Sequence, residues 1–366
     1  MVTASVLALL SLGATSLAWN SDELKVNQPY KHKSTIEYTT IGGFFLQDDP
    51  ATDPKTFDYT TANYGLIERS YPTDYKFDRK RERTQWERFE YYVSILNLRA
   101  DKTTQYKVLF MARHGEGYHN AAEAYFGTPA WNCYWGPLDG NTTVVWRDAR
   151  LTEAGLAQCT KANDFWRHAL AKKKIPAPQT YYSSPLIRSA TTANLTFNGL
   201  DLPKDRPFAP TVKELLREGI SIRTCDERSS KASISALLPG FRFEEGFTET
   251  DELWRGHEGE GETPQAQFLR TKTVMDDIFT HDGNTWISLT THSGQIAVTL
   301  RVLGHRAFGL ATGQAIPALV KAHTRRADGP TSTAASFTPE ATCHEPPETS
   351  VSGQCVCSVT PAPTPA

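Results

Sequence analysis

Short apolar runs that end at polar turns recur along this chain. Residues 108–112 form a continuous apolar run, and residues 180–184 and 285–291 have the composition of strands. Helix-forming residues follow each of these runs. Continuous apolar runs of this length are typical of strands that are covered on both faces of a parallel sheet. The pattern therefore predicts an α/β fold in which parallel strands alternate with helices.

The first apolar run ends at Arg113-His114-Gly115, and a helix is predicted to begin near His119. Parallel sheets bind ligands beyond the C-terminal ends of their strands. The glycine allows a tight backbone turn there, and a helix N-terminus favours an anion. A fixed cation, a titratable nitrogen and a helix N-terminus together predict a phosphate site. Taken alone, the segment also fits a solvated histidine in a loop.

Later segments support the phosphate interpretation. Arg188 follows Ser-Ser-Pro at the end of the second strand, with Pro185 predicted in the first turn of the next helix. This arrangement places Arg188 about one turn into that helix, within reach of the strand end. His292 ends the run 285–291 and repeats the architecture of the first motif. Two histidines and two arginines at strand-to-helix transitions are hard to explain as structural residues alone.

A further strand-like run, residues 210–219, contains the candidate catalytic acid Glu218. Burial and a bound phosphate raise the pKa of such a carboxyl group, whereas neighbouring arginines lower it, so the sequence does not fix the net direction. Glu214 and Glu116 are rival candidates for the acid. A helix or loop carboxylate without any catalytic role also fits the position.

These motifs, together with Asn120, resemble the histidine phosphatase superfamily, also called the phosphoglycerate mutase-like family, in order and spacing. The mutase-like branch matches better than the acid-phosphatase and phytase branch, because Ser293 follows His292 where that branch has an aspartate. Residues 216–228 resemble a fungal phosphomutase-like subgroup. The resemblance covers roughly residues 34–325. It implies a three-layer α/β/α sandwich around a mostly parallel sheet, as in phosphoglycerate mutase.

The resemblance also implies a role for each site residue. His114 would be the nucleophile that forms a phosphohistidine, and Glu218 would protonate the leaving oxygen and then activate water. The remaining catalytic and substrate-binding groups would neutralise or bind the phosphoryl oxygens; they are Arg113, Asn120, Arg188 and His292. No metal or other cofactor is expected, because guanidinium groups supply the positive charge. A metal site formed by His114, His119 and His292 is the competing interpretation, and it leaves both arginines unexplained.

The expected activity is that of a secreted, metal-independent phosphomonoesterase acting on a small-molecule phosphate ester. A phosphomutase that uses the same residues is the first alternative. A catalytically silent binding protein on this scaffold is the second. The leaving-group side of the substrate depends on residues 125–147 and 241–257, whose polar, aromatic and glycine-rich composition does not identify it.

Composition is consistent with this expectation. The net charge of −2 gives no overall attraction to nucleic acid. The basic residues 79–83 lead into apolar positions at helical spacing, so they are predicted to form the solvated start of a helix. The sequons at Asn141 and Asn194 suit a secretory route, although Asn194 shares the predicted helix of Arg188 and is predicted to be too enclosed for glycosylation. The sequence does not indicate an oligomeric state.

The 366 residues, 39% of them hydrophobic, allow one large α/β domain or two small ones. Residues 1–18 have the pattern of a secretory signal peptide. The catalytic domain is predicted over residues 19–325, with an N-terminal extension over 19–105 packed on its core. Residues 326–366 are rich in Pro, Ser and Thr and are predicted to form a flexible tail, without an apolar stretch for a membrane anchor.

Six cysteines are compatible with an oxidising compartment. Three lie in the body of the chain and three in the tail: Cys133, Cys159, Cys225, Cys343, Cys355 and Cys357. Full pairing is predicted, with free thiols as the alternative. Because three is an odd number, full pairing requires at least one bridge between tail and body.

Overall fold

A computed structural model describes residues 34–326, 336–347 and 357. The predicted signal peptide lies outside the described residues. The described strands are β1 Ser34–Thr40, β2 Thr104–Arg113, β3 Thr180–Ser183, β4 Thr211–Val212, β5 Arg242–Phe243, β6 Glu260–Glu262, β7 Trp286–Thr291, β8 Ala315–Arg326 and β9 Phe337–Pro339. The described α-helices are α1 Asp74–Phe77, α2 Gln85–Arg99, α3 Tyr118–Phe126, α4 Thr128–Ala130, α5 Glu153–His168, α6 Ile187–Phe197, α7 Lys231–Leu237, α8 Pro264–His281 and α9 Ser293–Val302.

Seven of these strands form one sheet in the order β1-β8-β2-β7-β3-β4-β5. The five strands from β2 to β5 in this order run parallel to one another. β8 runs antiparallel to both β2 and β1. The predicted mostly parallel sheet is therefore confirmed.

Helices cover both faces of the sheet because its central strands are apolar on both sides. Leu109 and Met111 of β2 point into a core formed with α8 and α9. Val108 and Phe110 point the other way, into an aromatic core formed with Phe89 of α2 and with α5 and α6. These two cores confirm the three-layer α/β/α sandwich.

Helix starts follow the capping chemistry of the sequence. Thr84 caps α2 in a capping box with Glu87, directly after the basic residues 79–83. Thr152 caps α5, as predicted, by accepting a hydrogen bond from the amide of Gly155. Each cap satisfies amides that have no partner inside the helix.

Two predicted elements differ in the structure. Helix α6 begins at Ile187 with Leu186 as its N-cap, so Pro185 precedes the helix and Arg188 is its second residue rather than one turn in. The strand-like run 210–219 shortens to β4 and is followed by a 3-10 turn. Within the N-terminal extension, all seven residues of β1 pair with β8.

Part of the C-terminal tail carries ordered structure. Strand β9 pairs antiparallel with β6, although the composition of the tail predicted no element there. Cys343 forms a disulfide with Cys357. No helix in the described part of the chain is long and apolar enough to cross a membrane.

The prediction that all six cysteines pair is wrong. Cys159 and Cys225 are free thiols, and both are buried in the body of the domain. Cys133 is disulfide-bonded, and its Sγ lies 3.5 Å from Sγ of Cys343. Burial raises the pKa of the Cys159 thiol, which keeps it protonated and unreactive. Cys355 lies outside the described residues.

Candidate active site

The parallel register brings three strand ends to one edge of the sheet. Arg113 at the end of β2 pairs with Thr291 at the end of β7. Ser183 at the end of β3 pairs with Thr290. The residues that follow these strands, His114, Ser184 and His292, therefore stand side by side at the edge where parallel sheets bind ligands.

The imidazole of His114 is buried and held in one tautomer. Its Nδ1 lies 2.7 Å from the carbonyl oxygen of Gly115, which can only accept, so Nδ1 carries the proton. The lone pair is then on Nε2. Burial, with the nearby Arg188 and Arg113 guanidinium groups, holds the pKa of His114 well below its usual value. The ring is therefore neutral at neutral pH and presents an unprotonated nitrogen.

Arg188 lies against that nitrogen. Its Nε donates to Nε2 of His114 at 3.3 Å, and its Nη1 donates to the carbonyl of Cys225 at 2.6 Å. Its Nη2 lies 3.8 Å from Asp226 Oδ1. The side chain is 1% exposed, so its planar fork is fixed beside the His114 ring.

His292 forms the opposite wall of the site. Its ring centroid lies 5.0 Å from that of His114. Its Nε2 lies 2.8 Å from Ser184 Oγ and 3.2 Å from Ser189 Oγ. Burial and the charge of Arg188 hold the pKa of His292 well below its usual value.

Three buried polar atoms of this cluster have no hydrogen-bond partner in the described part of the chain. They are Nε of Arg113 and Nδ1 of His119 and of His292. Arg113 is otherwise anchored by Nη1, which donates to the carbonyl of Leu310 at 2.8 Å. Buried polar atoms in proteins are nearly always paired. Unpaired atoms clustered around a cation mark a place for an anionic ligand.

The nearby helix N-termini are occupied by side chains of the protein. Oδ1 of Asn120 accepts from the amide of Gly117 at 3.0 Å, which closes the start of α3. Oδ1 of Asp148 accepts from the amide of Ile187 at 2.9 Å, at the start of α6. The N-cap amide of the helix after the first motif is thus paired with the side chain of Asn120.

Glycine is required at position 115 for a different reason from the tight turn that the sequence predicts. A Cβ at Gly115 would lie 2.5 Å from the carbonyl oxygen of Gly155, and a Cβ at Gly155 would lie 2.1 Å from that of Glu116. The two backbones therefore touch, and neither position has room for a side chain. This contact fixes the turn that carries His114.

The three candidate acids have different surroundings. Glu116 accepts a hydrogen bond from Thr152. Glu214 forms ion pairs with Arg217 and Arg228. Glu218 instead faces the site.

The carboxylate of Glu218 accepts from the amides of Gly294 at 3.0 Å and Gln295 at 2.8 Å, at the start of α9. Its charge also acts on Arg113. Of the three candidates, Glu218 is therefore the one that reaches the edge of the sheet where His292 stands. A Cβ at Gly294 would lie 2.4 Å from Glu218 Oε1, so only glycine leaves room for the carboxylate there.

Comparison with known proteins identifies the family. The sequence profile described as histidine phosphatase superfamily (branch 1) matches residues 109–316. The chain belongs to this superfamily. "Probable phosphoglycerate mutase" of Arthroderma benhamiae is 48% identical over 289 residues, covering 79% of this chain and 85% of that protein. "Phosphomutase-like protein 3" of Candida albicans is 33% identical over 298 residues, covering 81% of this chain and 84% of that protein.

A crystal structure of phosphoglycerate mutase from Thermus thermophilus is 23% identical, covers 57% of this chain and 91% of its own, and has a TM-score of 0.32. The resemblance seen in the sequence, to the phosphoglycerate mutase-like branch of the histidine phosphatase superfamily, is confirmed by the profile and the fungal relatives. The protein is a histidine phosphatase superfamily enzyme of phosphatase or mutase type.

His119 is the site residue that sequence reasoning underrated, since it entered only through the metal alternative. Its ring centroid lies 5.4 Å from that of His114, and its side chain is buried. Burial and Arg188 hold its pKa well below the usual value. Among the described residues, no group of three or more His, Cys, Asp and Glu side chains could hold a metal ion. The metal alternative therefore has no ligand set in this part of the chain.

Proposed function

We propose that this superfamily member is a phosphomonoesterase that hydrolyses small-molecule phosphate esters through a phosphohistidine at His114. The observation that carries the proposal is the fixed tautomer of His114, with Nδ1 bonded to a carbonyl and a neutral Nε2 beside Arg188. A neutral imidazole with an unprotonated nitrogen is the form of histidine that attacks phosphorus. The hydrogen bond from Arg188 to Nε2 must open when the phosphoryl group binds, and it leaves the guanidinium beside the phosphoryl oxygens.

Arg113, Arg188 and His292 bind the phosphoryl group. The unpaired Nε of Arg113 donates to one of its oxygens. When the hydroxyl of Ser184 donates to Nε2 of His292, the ring proton sits on Nδ1, where it can be donated to a second oxygen. The side-chain amide nitrogen of Asn120 donates a hydrogen bond to a third phosphoryl oxygen. Donors fixed by the surrounding protein, as Arg113 is by its bond to the carbonyl of Leu310, stabilise the transition-state charge with little reorganisation.

Glu218 performs the proton transfers. Glu218 enters the cycle as the protonated acid and gives its proton to the leaving alkoxide as His114 bonds to phosphorus, which leaves it as the carboxylate. It then removes a proton from the water that hydrolyses the phosphohistidine, which returns both residues to their starting states. No step requires a metal ion, since the guanidinium groups carry the counter-charge.

A phosphomutase is the second candidate function, because the fungal relatives carry mutase names. A mutase must hold its phosphoenzyme and exclude water until a second hydroxyl accepts the phosphoryl group. We favour hydrolysis together with secretion. A signal-like segment at residues 1–18 and the disulfide between Cys343 and Cys357 support an oxidising compartment. A glycolytic mutase substrate is not expected outside the cell.

A panel of phosphate esters tests the proposal. The purified protein is incubated with phosphorylated sugars, alcohols and a phenol ester, each with and without an added acceptor alcohol. The proposal predicts release of inorganic phosphate as the main product from at least one ester. Movement of phosphate between hydroxyls with little release would establish the mutase instead. No turnover of any ester or acceptor pair would favour a binding protein.

A further inference from the structure

One buried arginine, Arg270 of α8, contacts the backbone that carries the proposed acid. Its Nη1 donates to the carbonyls of Leu215 and Arg217, both at 3.0 Å. Its Nη2 donates to the carbonyl of Glu218, also at 3.0 Å. A single guanidinium group therefore donates hydrogen bonds to three carbonyls of the turn that precedes and includes the proposed acid.

The same side chain is fixed from its other side by a buried carboxylate. Glu262 accepts from Nε of Arg270 at 2.8 Å and from Nη2 at 2.7 Å, a two-pronged ion pair. The two side chains are 5% and 2% exposed. Such geometry holds the guanidinium plane in one orientation, which a lysine ammonium would not reproduce.

Arg270 also reaches the helix that binds the carboxylate of the acid. Its Nη1 lies 3.4 Å from Oε1 of Gln295, and Thr271, the next residue of α8, accepts from Nε2 of Gln295 at 3.1 Å. The amide of Gln295 is one of the two α9 amides that bind Glu218. The backbone of Glu218 and the amides that bind its carboxylate are thus both tied to α8.

We propose that the Arg270–Glu262 pair is a positioning device for Glu218, so that its loss impairs protonation of the leaving group more than attack by His114. The inference rests on the proposed function, in which Glu218 is the acid. Arg270 itself touches neither the phosphoryl group nor the reacting atoms. Its effect is transmitted through the carbonyl of Glu218 and through α9.

The test compares Arg270→Met and Arg270→Lys with Glu218→Gln on two substrates. An alkyl phosphate needs a proton on its departing oxygen, whereas an activated phenol ester scarcely does. We expect each Arg270 variant to lose at least about tenfold more kcat/KM on the alkyl ester than on the phenol ester, because kcat/KM reports formation of the phosphohistidine, whereas its hydrolysis is common to both esters. If Arg270→Met does not fold, Arg270→Lys, which keeps the charge but places its donors on a single nitrogen, decides the question.

Arg306→Met is the matched control. Arg306 also donates hydrogen bonds to carbonyls of another segment, those of Gln47 and Thr52. It lies beyond the C-terminal end of α9, whereas the amides that bind Glu218 are at the start of that helix. It is expected to lose stability without any change in the ratio of the two rates. Equal losses on both esters in the Arg270 variants, with Glu218→Gln still selective, would overturn this inference alone. If Glu218→Gln also showed no selectivity, the assignment of the acid in the proposed function would fail.

Discussion

Three buried neutral histidines make the stability of this protein depend steeply on pH. His114, His119 and His292 are 2%, 8% and 0% exposed, and each has a pKa well below its usual value of 6.5 through burial and neighbouring arginines. Below that value the unfolded chain binds protons that the native state does not. Stability is therefore complete above pH 6.5 and is lost as the pH falls towards the folded-state pKa values.

The size of the effect follows from linkage. Between about pH 7.5 and about pH 5.5, each such histidine lowers the free energy of unfolding by on the order of 1 kcal/mol, and the three together by several kcal/mol. The substitution His119→Gln removes one titrating group. The fall in its free energy of unfolding over the same interval should therefore be smaller than that of wild type by about one third.

Urea unfolding followed by tryptophan fluorescence at several pH values measures both proteins. Burial raises the pKa of Asp148 and of Glu214, which acts in the opposite sense, but this contribution is the same in wild type and variant and cancels in the difference. His257→Gln, an exposed histidine, is the control and should follow wild type. Identical pH dependence in wild type and His119→Gln would show that His119 has the same pKa in the native and unfolded states, and would refute the reasoning.

Three further outcomes are expected. Gly155→Ala places a Cβ 2.1 Å from the carbonyl oxygen of Glu116. The free energy of unfolding, measured in urea, should fall by about 1–3 kcal/mol, and kcat should fall because the turn that carries His114 shifts. An unchanged kcat would contradict this role of the turn. Thr152→Ala removes the N-cap of α5, so the free energy of unfolding in urea should fall by about 1 kcal/mol while the kcat of the folded enzyme is retained. Exhaustive chelation should leave phosphate release intact, and restoration of lost activity by one divalent ion would reverse the account.

The strand ends could be predicted from the sequence because buried parallel strands leave a strong local signal. A continuous apolar run before His114 and a β-branched and aromatic run before His292 placed both residues at strand ends, and the register aligns Arg113 with Thr291. The helix of Arg188 was also evident, although its start was misplaced by two residues because Pro185 favours a first helical turn.

Contacts between residues far apart in sequence could not be predicted in the same way. Arg270 and the Glu218 carbonyl are 52 positions apart, and no local pattern links them. The need for glycine at Gly115 comes from the backbone of Gly155, not from its own turn. His119 left no signal beyond its residue type, because its place in the site depends on how α3 packs.

The central claim, that His114 carries the phosphoryl group, is tested most directly by trapping the intermediate. Enzyme is mixed with an ester labelled in its phosphoryl group and quenched within the first turnover. The account predicts label on the protein that is labile in acid and stable in base, on the peptide containing His114, and none on His114→Ala. Label on another residue, or full turnover by a folded His114→Ala protein, would contradict it.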